Sequence, residues 1–144
     1  MEIAIIADDT KKELMAQFCI AYCGILSRHH LYATSITGKY IQEATGLDIE
    51  FMLSGSIGGA EQLASRISLN EIDLLFYFRD TSPDDPYIQN DMELLRMCDI
   101  RNVPVATNIA TAEVLVMALE SGALDWRNFV NPVSEYNRRA KGKG

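Results

Sequence analysis

The run IDLLFYF at residues 72–78 is apolar at every position except Asp73. A strand with one wet face alternates polar and apolar residues, so a nearly unbroken apolar run requires cover on both faces, as inside a parallel sheet. The rest of the chain supplies the neighbours such a strand needs. Residues 2–7 (EIAIIA) read as a first strand, after which Asp9 or Thr10 caps a helix whose Leu14, Met15, Phe18, Tyr22, Ile25 and Leu26 recur at three- and four-residue steps. Residues 31–34 read as a second strand, 37–44 as a helix stopped by Gly46, and 49–53 as a third strand running into the loop SGSIGG at 54–59. A helix over 60–69 leads to the apolar strand, which ends at Arg79 and Asp80. TSPDDPY at 81–87 is a proline-bearing loop before a helix over 88–98, a strand over 103–106 and a helix over 109–119 closed by Gly122; Trp126 and Phe129 pin the last turn.

This alternation predicts the α/β class: a single three-layer domain over residues 1–131, with a mainly parallel sheet of about five strands, helices on both faces and right-handed crossovers. Residues 137–144 (NRRAKGKG) hold four bases and no acid, so 132–144 reads as a basic, flexible tail.

A chain of 144 residues can bury roughly 68–70% of the surface its unfolded form exposes, enough for one well-filled core. Its 48% hydrophobic and 23% charged residues argue against disorder and low complexity. The formal charge is -7, and outside the basic end nine bases face twenty acids. That balance weighs against nucleic-acid and membrane partners, whose surfaces are themselves anionic. No apolar run approaches the ~20 residues of a membrane helix, and MEIAIIADDTKK lacks the pattern of a signal peptide, so a cytoplasmic location is expected. Cys19, Cys23 and Cys98 are an odd count without CxxC spacing, and read as small core residues. Neither His29 nor His30 stands at zinc-motif spacing from them, so no metal is expected, and a surface turn accounts for both histidines.

In an open parallel sheet the ligand crevice lies beyond the carboxyl ends of the strands. The exit segments are ADDTKK at 7–12, ATSITGK at 33–39, LSGSIGG at 53–59, FRDTSPDDPY at 78–87 and ATNIAT at 106–111. Two of them place small hydroxyl and glycine residues directly ahead of a helix. Free N–H groups, hydroxyl donors and the positive end of a helix dipole then converge, which suits a phosphate. Thr34, Thr37, Ser54 and Gly55 are the candidates, with Lys12 as the charged donor. The bland alternative for each loop is a cap and a turn. Neither is a P-loop or a GxGxxG fingerprint, so a nucleotide is not indicated. Asp8, Asp9, Asp80, Asp84 and Asp85 also fall in exit loops, and Glu61 opens the helix after Gly59. Acids crowded beside a phosphate can yield a general acid or base, although Asp9 and Asp85 read equally as caps or solvated loop residues. No Ser-His-acid or Cys-His set is visible.

At these loops the chain resembles the methylglyoxal synthase family, and the likeness runs from IAIIADD to LDWRNF at 124–129. The family's pattern of A-H-D followed by a lysine, L-Y-A-T-G-x-T-G, S-G-P-x-G-G-D-Q-Q, D-P with P-H-x-P-D, and P-x-A-T-N-x-A-T-A is met in order. It stands here as ADDTKK from Ala7, LYATSITG from Leu31, SGSIGGAEQ from Ser54, DT at Asp80 with PDDPY from Pro83, and PVATNIATA from Pro104. The resemblance implies conversion of dihydroxyacetone phosphate to methylglyoxal and inorganic phosphate, without a cofactor, by a homo-oligomer that is commonly a hexamer. It implies a phosphate clamp of Lys12, Thr34, Thr37, Ser54 and Gly55, with Asp8 at the same mouth.

The reacting groups depart from the pattern. The aspartate after Gly-Gly is Ala60, the histidine of A-H-D is Asp8, the histidine of P-H-x-P-D is Asp84, and that motif's last aspartate is Tyr87; one threonine of the clamp is Ile36. Asp80, Glu61 and Asp84 are left as candidate catalytic carboxylates. Loss of a positioned base costs about 10²–10⁴-fold, so impaired catalysis is expected. Three readings follow: a slow synthase; a binding module for a phosphorylated metabolite, like the regulatory domain of carbamoyl-phosphate synthetase that this fold resembles; or an oligomer partner for a genuine synthase.

Overall fold

The computed structural model describes residues 1–53, 59–82 and 88–142, with backbone alone for 88–91. Strand β1 (Glu2–Ala7) passes through a 3-10 turn (Asp9–Lys11) into helix α1 (Lys12–Ala21), and a separate short helix α2 (Cys23–Leu26) follows. Then come β2 (His30–Thr34), α3 (Ser35–Thr45), β3 (Ile49–Met52), α4 (Gly59–Ser68), β4 (Leu74–Phe78), α5 (Ile88–Arg101), β5 (Val105–Ala106) and α6 (Ile109–Ser121). Two short helices, α7 (Arg127–Val130) and α8 (Glu135–Gly142), complete the described chain.

The strands form one sheet in the order β3-β2-β1-β4-β5, and every pairing is parallel. β1 and β4 lie at its centre, in a register that sets Ile3 beside Leu74 and Ala7 beside Phe78. Because side chains alternate across a strand, each central strand feeds two cores. Ile3, Ile5, Leu74, Phe76 and Phe78 meet Met15 and Phe18 of α1, Ile41 of α3 and Val116 of α6 on one face. Ala4, Ile6, Leu75 and Tyr77 meet Leu63 and Ile67 of α4 with Leu94 and Cys98 of α5 on the other. The three-layer α/β expectation is therefore met, down to the apolar central strand.

Local differences have local causes. Asp9 lies inside the 3-10 turn and neither it nor Thr10 caps α1, whose N-cap position is Lys11 without a side-chain bond. The helix breaks at Tyr22, so Cys19 and Cys23 sit on different helices: Cys19 is buried in the core, and the Cys23 thiol points to the Thr45 carbonyl. Gly46 ends α3 at φ 74°, in the left-handed region that glycine enters without a Cβ penalty. Over 135–142 the basic end has helical backbone. Ser134 accepts from the Asn137 amide at the start of α8, and the Asn137 side chain donates to the carbonyls of Asn128, Phe129 and Asn131.

Arg127, rather than Trp126 or Phe129, anchors that end; the two aromatics are 43% and 64% exposed, whereas Arg127 is fully buried. Its Nε donates to Asp73 Oδ1 at 3.1 Å, and its two terminal nitrogens donate to Asn70 Oδ1 and to the carbonyls of Asn70 and Ile72. Asn131 donates to Asp73 Oδ1 at 3.0 Å, and the Glu2 amide donates to Asp73 Oδ2 at 2.9 Å. The carboxylate just ahead of β4 is thus satisfied on both oxygens, and the guanidinium on all three nitrogens, which is the condition for burying such a pair.

Two measurements follow. Arg127→Met should lower the unfolding free energy by about 3–5 kcal/mol in denaturant titration, because it leaves the Asp73 charge buried and unpaired. His29, whose Nδ1 accepts from the Met1 amino group at 2.8 Å, has its pKa pulled down to about 4 by burial, then by that amine and Arg28. The unfolded chain therefore binds its proton more readily. The stability contributed by neutral His29 should be complete above about pH 6.5 and drain away as pH falls toward about 4, and His29→Gln should flatten that segment of the stability-pH curve.

Candidate functional site

The crossovers locate the crevice before any side chain is considered. The chain leaves β1 and β2 for helices on the α1, α3 and α6 face, but leaves β3 and β4 for helices on the α4 and α5 face. The loops therefore diverge between β1 and β4, the topological switch point where ligands enter such sheets.

At that point the exits of β1 and β4 are joined directly. The Asp8 amide donates to the Phe78 carbonyl at 3.0 Å, and the Asp80 amide donates to Asp8 Oδ2 at 2.5 Å. Asp80 Oδ1 in turn accepts from the Ser82 amide at 2.8 Å. Both carboxylates are half-buried, as the end of an apolar strand implies for Asp80.

The exit of β2 borders the same crevice. Thr34 and Thr37 are buried, and Thr37 Oγ1 donates to the Ala7 carbonyl at 3.2 Å, tying the first turn of α3 to the end of β1. Thr34 occupies the N-cap position of α3 with extended backbone, yet its side chain makes no capping bond and has no hydrogen-bond partner among the described residues. α6, on the same edge, is capped by its own Asn108, which accepts from the Thr111 amide at 3.0 Å. The N-terminus of α3 therefore keeps its orphan N–H groups beside a free hydroxyl. The half-buried Lys12 side chain leans across to α3, its Nζ 5.7 Å from the centre of the Tyr40 ring. Ile36, in the first turn of α3, is 57% exposed at this edge.

The exit of β3 is described only at its two ends. Gln62 Oε1 accepts from the Leu53 amide at 2.9 Å and so closes the base of this segment. Gly59 is buried, Ala60 half-buried, and Glu61 exposed on the first turn of α4. Ser54 and Gly55, together with Asp84 and Asp85, lie outside the described residues. Of the candidates, Asp8 and Asp80 are in contact and Lys12, Thr34 and Thr37 share the adjoining strand exits, whereas Glu61 makes no described contact with them.

Burial lifts the Cys19 thiol to about 12, with Cys23 adding to it, and lifts Cys98 to about 12, with Asp99 adding to it. These thiols are protonated packing groups rather than nucleophiles. No cluster of three metal-ligating side chains is found among the described residues, and no described helix is long and apolar enough to cross a membrane. Tyr40 beneath Lys12 escaped the sequence reading, and Gln62 entered it only as a motif match without a role, since neither residue type marks a site by itself.

Fold and edge together define a doubly wound α/β domain whose strand exits diverge between β1 and β4. The MGS-like domain family model matches residues 15–107. Methylglyoxal synthase from Caldicellulosiruptor saccharolyticus is 52% identical over 141 residues, covering 98% of this chain and 100% of that protein. Methylglyoxal synthase from Listeria welshimeri is 49% identical over 128 residues, covering 89% of this chain and 96% of that protein. The crystal structure of methylglyoxal synthase from Elizabethkingia anophelis superposes with a TM-score of 0.74 at 33% identity, covering 80% of this chain and 76% of that one. The chain belongs to the methylglyoxal synthase family.

Proposed function

We propose that this protein binds a small phosphorylated ligand, dihydroxyacetone phosphate or inorganic phosphate, at the exits of β1, β2, β3 and β4, and that its elimination chemistry is impaired. The observation that carries the binding half is the uncapped N-terminus of α3, with the unpartnered Thr34 hydroxyl at its mouth and Lys12 alongside. Helix N–H groups, a hydroxyl and an ammonium are the donors an oxyanion requires. Ser54 and Gly55 complete this clamp in the family's pattern.

The chemical half rests on Ala60. Elimination of phosphate from the triose needs a base at the carbon beside the carbonyl and a donor for the resulting enediolate. A methyl group can do neither. Glu61 is displaced by about 100° around the helix from that position, and its exposed side chain must fold back to reach the crevice. Asp80 stands at the exit of β4, with one oxygen already accepting from Ser82; Asp84 is the third candidate carboxylate. The same residues favour a second reading, a phosphometabolite sensor that performs no chemistry. A cytoplasmic homo-oligomer, a hexamer by family habit, acting without a cofactor is consistent with either reading.

Binding is tested by melting the protein across millimolar phosphate. The melting temperature should rise with concentration, and Lys12→Ala should blunt the rise; a flat curve for the parent protein rejects the clamp.

Chemistry is tested by incubating pure protein with dihydroxyacetone phosphate and detecting methylglyoxal colorimetrically. Ala60→Asp should raise production by about 10²-fold or more, and Glu61→Gln should abolish whatever the parent makes if Glu61 is the base. A parent already as fast as Ala60→Asp refutes the impairment.

A further inference from the structure

We infer that Asp8 is a positioning residue whose carboxylate extends the β1–β4 ladder by one rung and so holds Asp80 over the crevice. In a parallel ladder, a residue that donates to position j−1 of its neighbour accepts from position j+1. Asp8 donates its amide to the Phe78 carbonyl at 3.0 Å, so the next rung runs from the Asp80 amide to the Asp8 carbonyl. That carbonyl is already engaged: the chain turns into the 3-10 segment there, and the Lys11 amide donates to it at 2.8 Å. The Asp8 side chain supplies the replacement, Oδ2 accepting from Asp80 at 2.5 Å.

The effect reaches the Asp80 side chain as well. With its amide fixed, Asp80 turns Oδ1 onto the Ser82 amide two residues on, closing a local turn at the mouth of the site. The two carboxylates in contact at this switch point thus do different jobs: Asp8, which stands where the family's pattern has histidine, builds the edge, and Asp80 is what the edge presents. This role requires an oxygen acceptor of Asp size at position 8, and does not require its charge. Its bearing on ligand binding rests on the phosphate reading above, whereas the rung itself does not.

The test compares Asp8→Asn, which keeps an acceptor oxygen, with Asp8→Ala, which removes it. In ¹⁵N-labelled protein without ligand, the Asp80 amide should exchange with solvent slowly in the parent and in Asp8→Asn, and about tenfold faster or more in Asp8→Ala. Titration with inorganic phosphate should then show Asp8→Ala binding about tenfold more weakly than Asp8→Asn, since both variants lack the charge and differ in the acceptor oxygen. Loss of protection in Asp8→Asn, or full protection in Asp8→Ala, overturns the assignment. Should Asp8→Ala not fold, Asp8→Asn decides alone by keeping or losing Asp80 protection. A parent that ignores phosphate but protects Asp80 refutes the ligand and leaves the rung standing.

Discussion

The pairing of β1 with β4 is the constraint from which the rest of the molecule follows. Each of these strands is buried on both faces, so neither tolerates an edge position, and each must find a parallel neighbour on either side. Parallel neighbours need crossovers, and right-handed crossovers from a central pair must run outward over opposite faces. The helices are distributed accordingly, and the divergence of the loops between the two central strands is a by-product. The crevice is therefore a consequence of burying the hydrophobic core, and the side chains around it were recruited to a gap that the topology had already opened.

Polar groups are placed at the two ends of this same pair and treated oppositely. At the amino end, Asp73, Arg127 and Asn131 sit where water cannot reach, and each oxygen or nitrogen of the ion pair has a partner in the protein. At the carboxyl end, Asp8, Asp80, Lys12 and Thr34 retain solvent contact or spare bonding capacity. The first arrangement rigidifies; the second can exchange a partner for a ligand. The ligand binding proposed above belongs to the second end, and Ala60, in the first turn of α4, lies on that side of the sheet.

Much of this was legible in the sequence because periodicity reports burial. The apolar run ending in LLFYF, the three- and four-residue spacing of Met15, Phe18 and Tyr22, and the stops at Gly46 and Gly122 mark elements whose existence local chemistry decides. The position of Lys12, Thr34 and Thr37 at neighbouring strand exits was legible because the alternation of strand and helix fixes where each strand ends. Three features were not. The break at Tyr22 leaves an almost continuous helical pattern on either side, so no residue type announces it. Trp126 and Phe129 looked like anchors because they are large and apolar, yet anchoring fell to Arg127, whose burial depends on an acid 54 residues away. The Asp8–Asp80 bond spans 72 residues and joins a side chain to a backbone amide, a contact that spacing along the chain cannot encode.

The Asp73–Arg127 pair also bears on how the chain comes off the ribosome. Asp73 immediately precedes the central strand β4, but its counter-ion is not synthesised until 54 residues later. Until then, closing the sheet would bury the Asp73 carboxylate with the Glu2 amide but no counter-ion, so an early, complete collapse is disfavoured even though all five strands are already in hand. Emergence of Arg127 supplies the missing cation, and the final docking of the C-terminal helices becomes the step that makes the half-built sheet permanent.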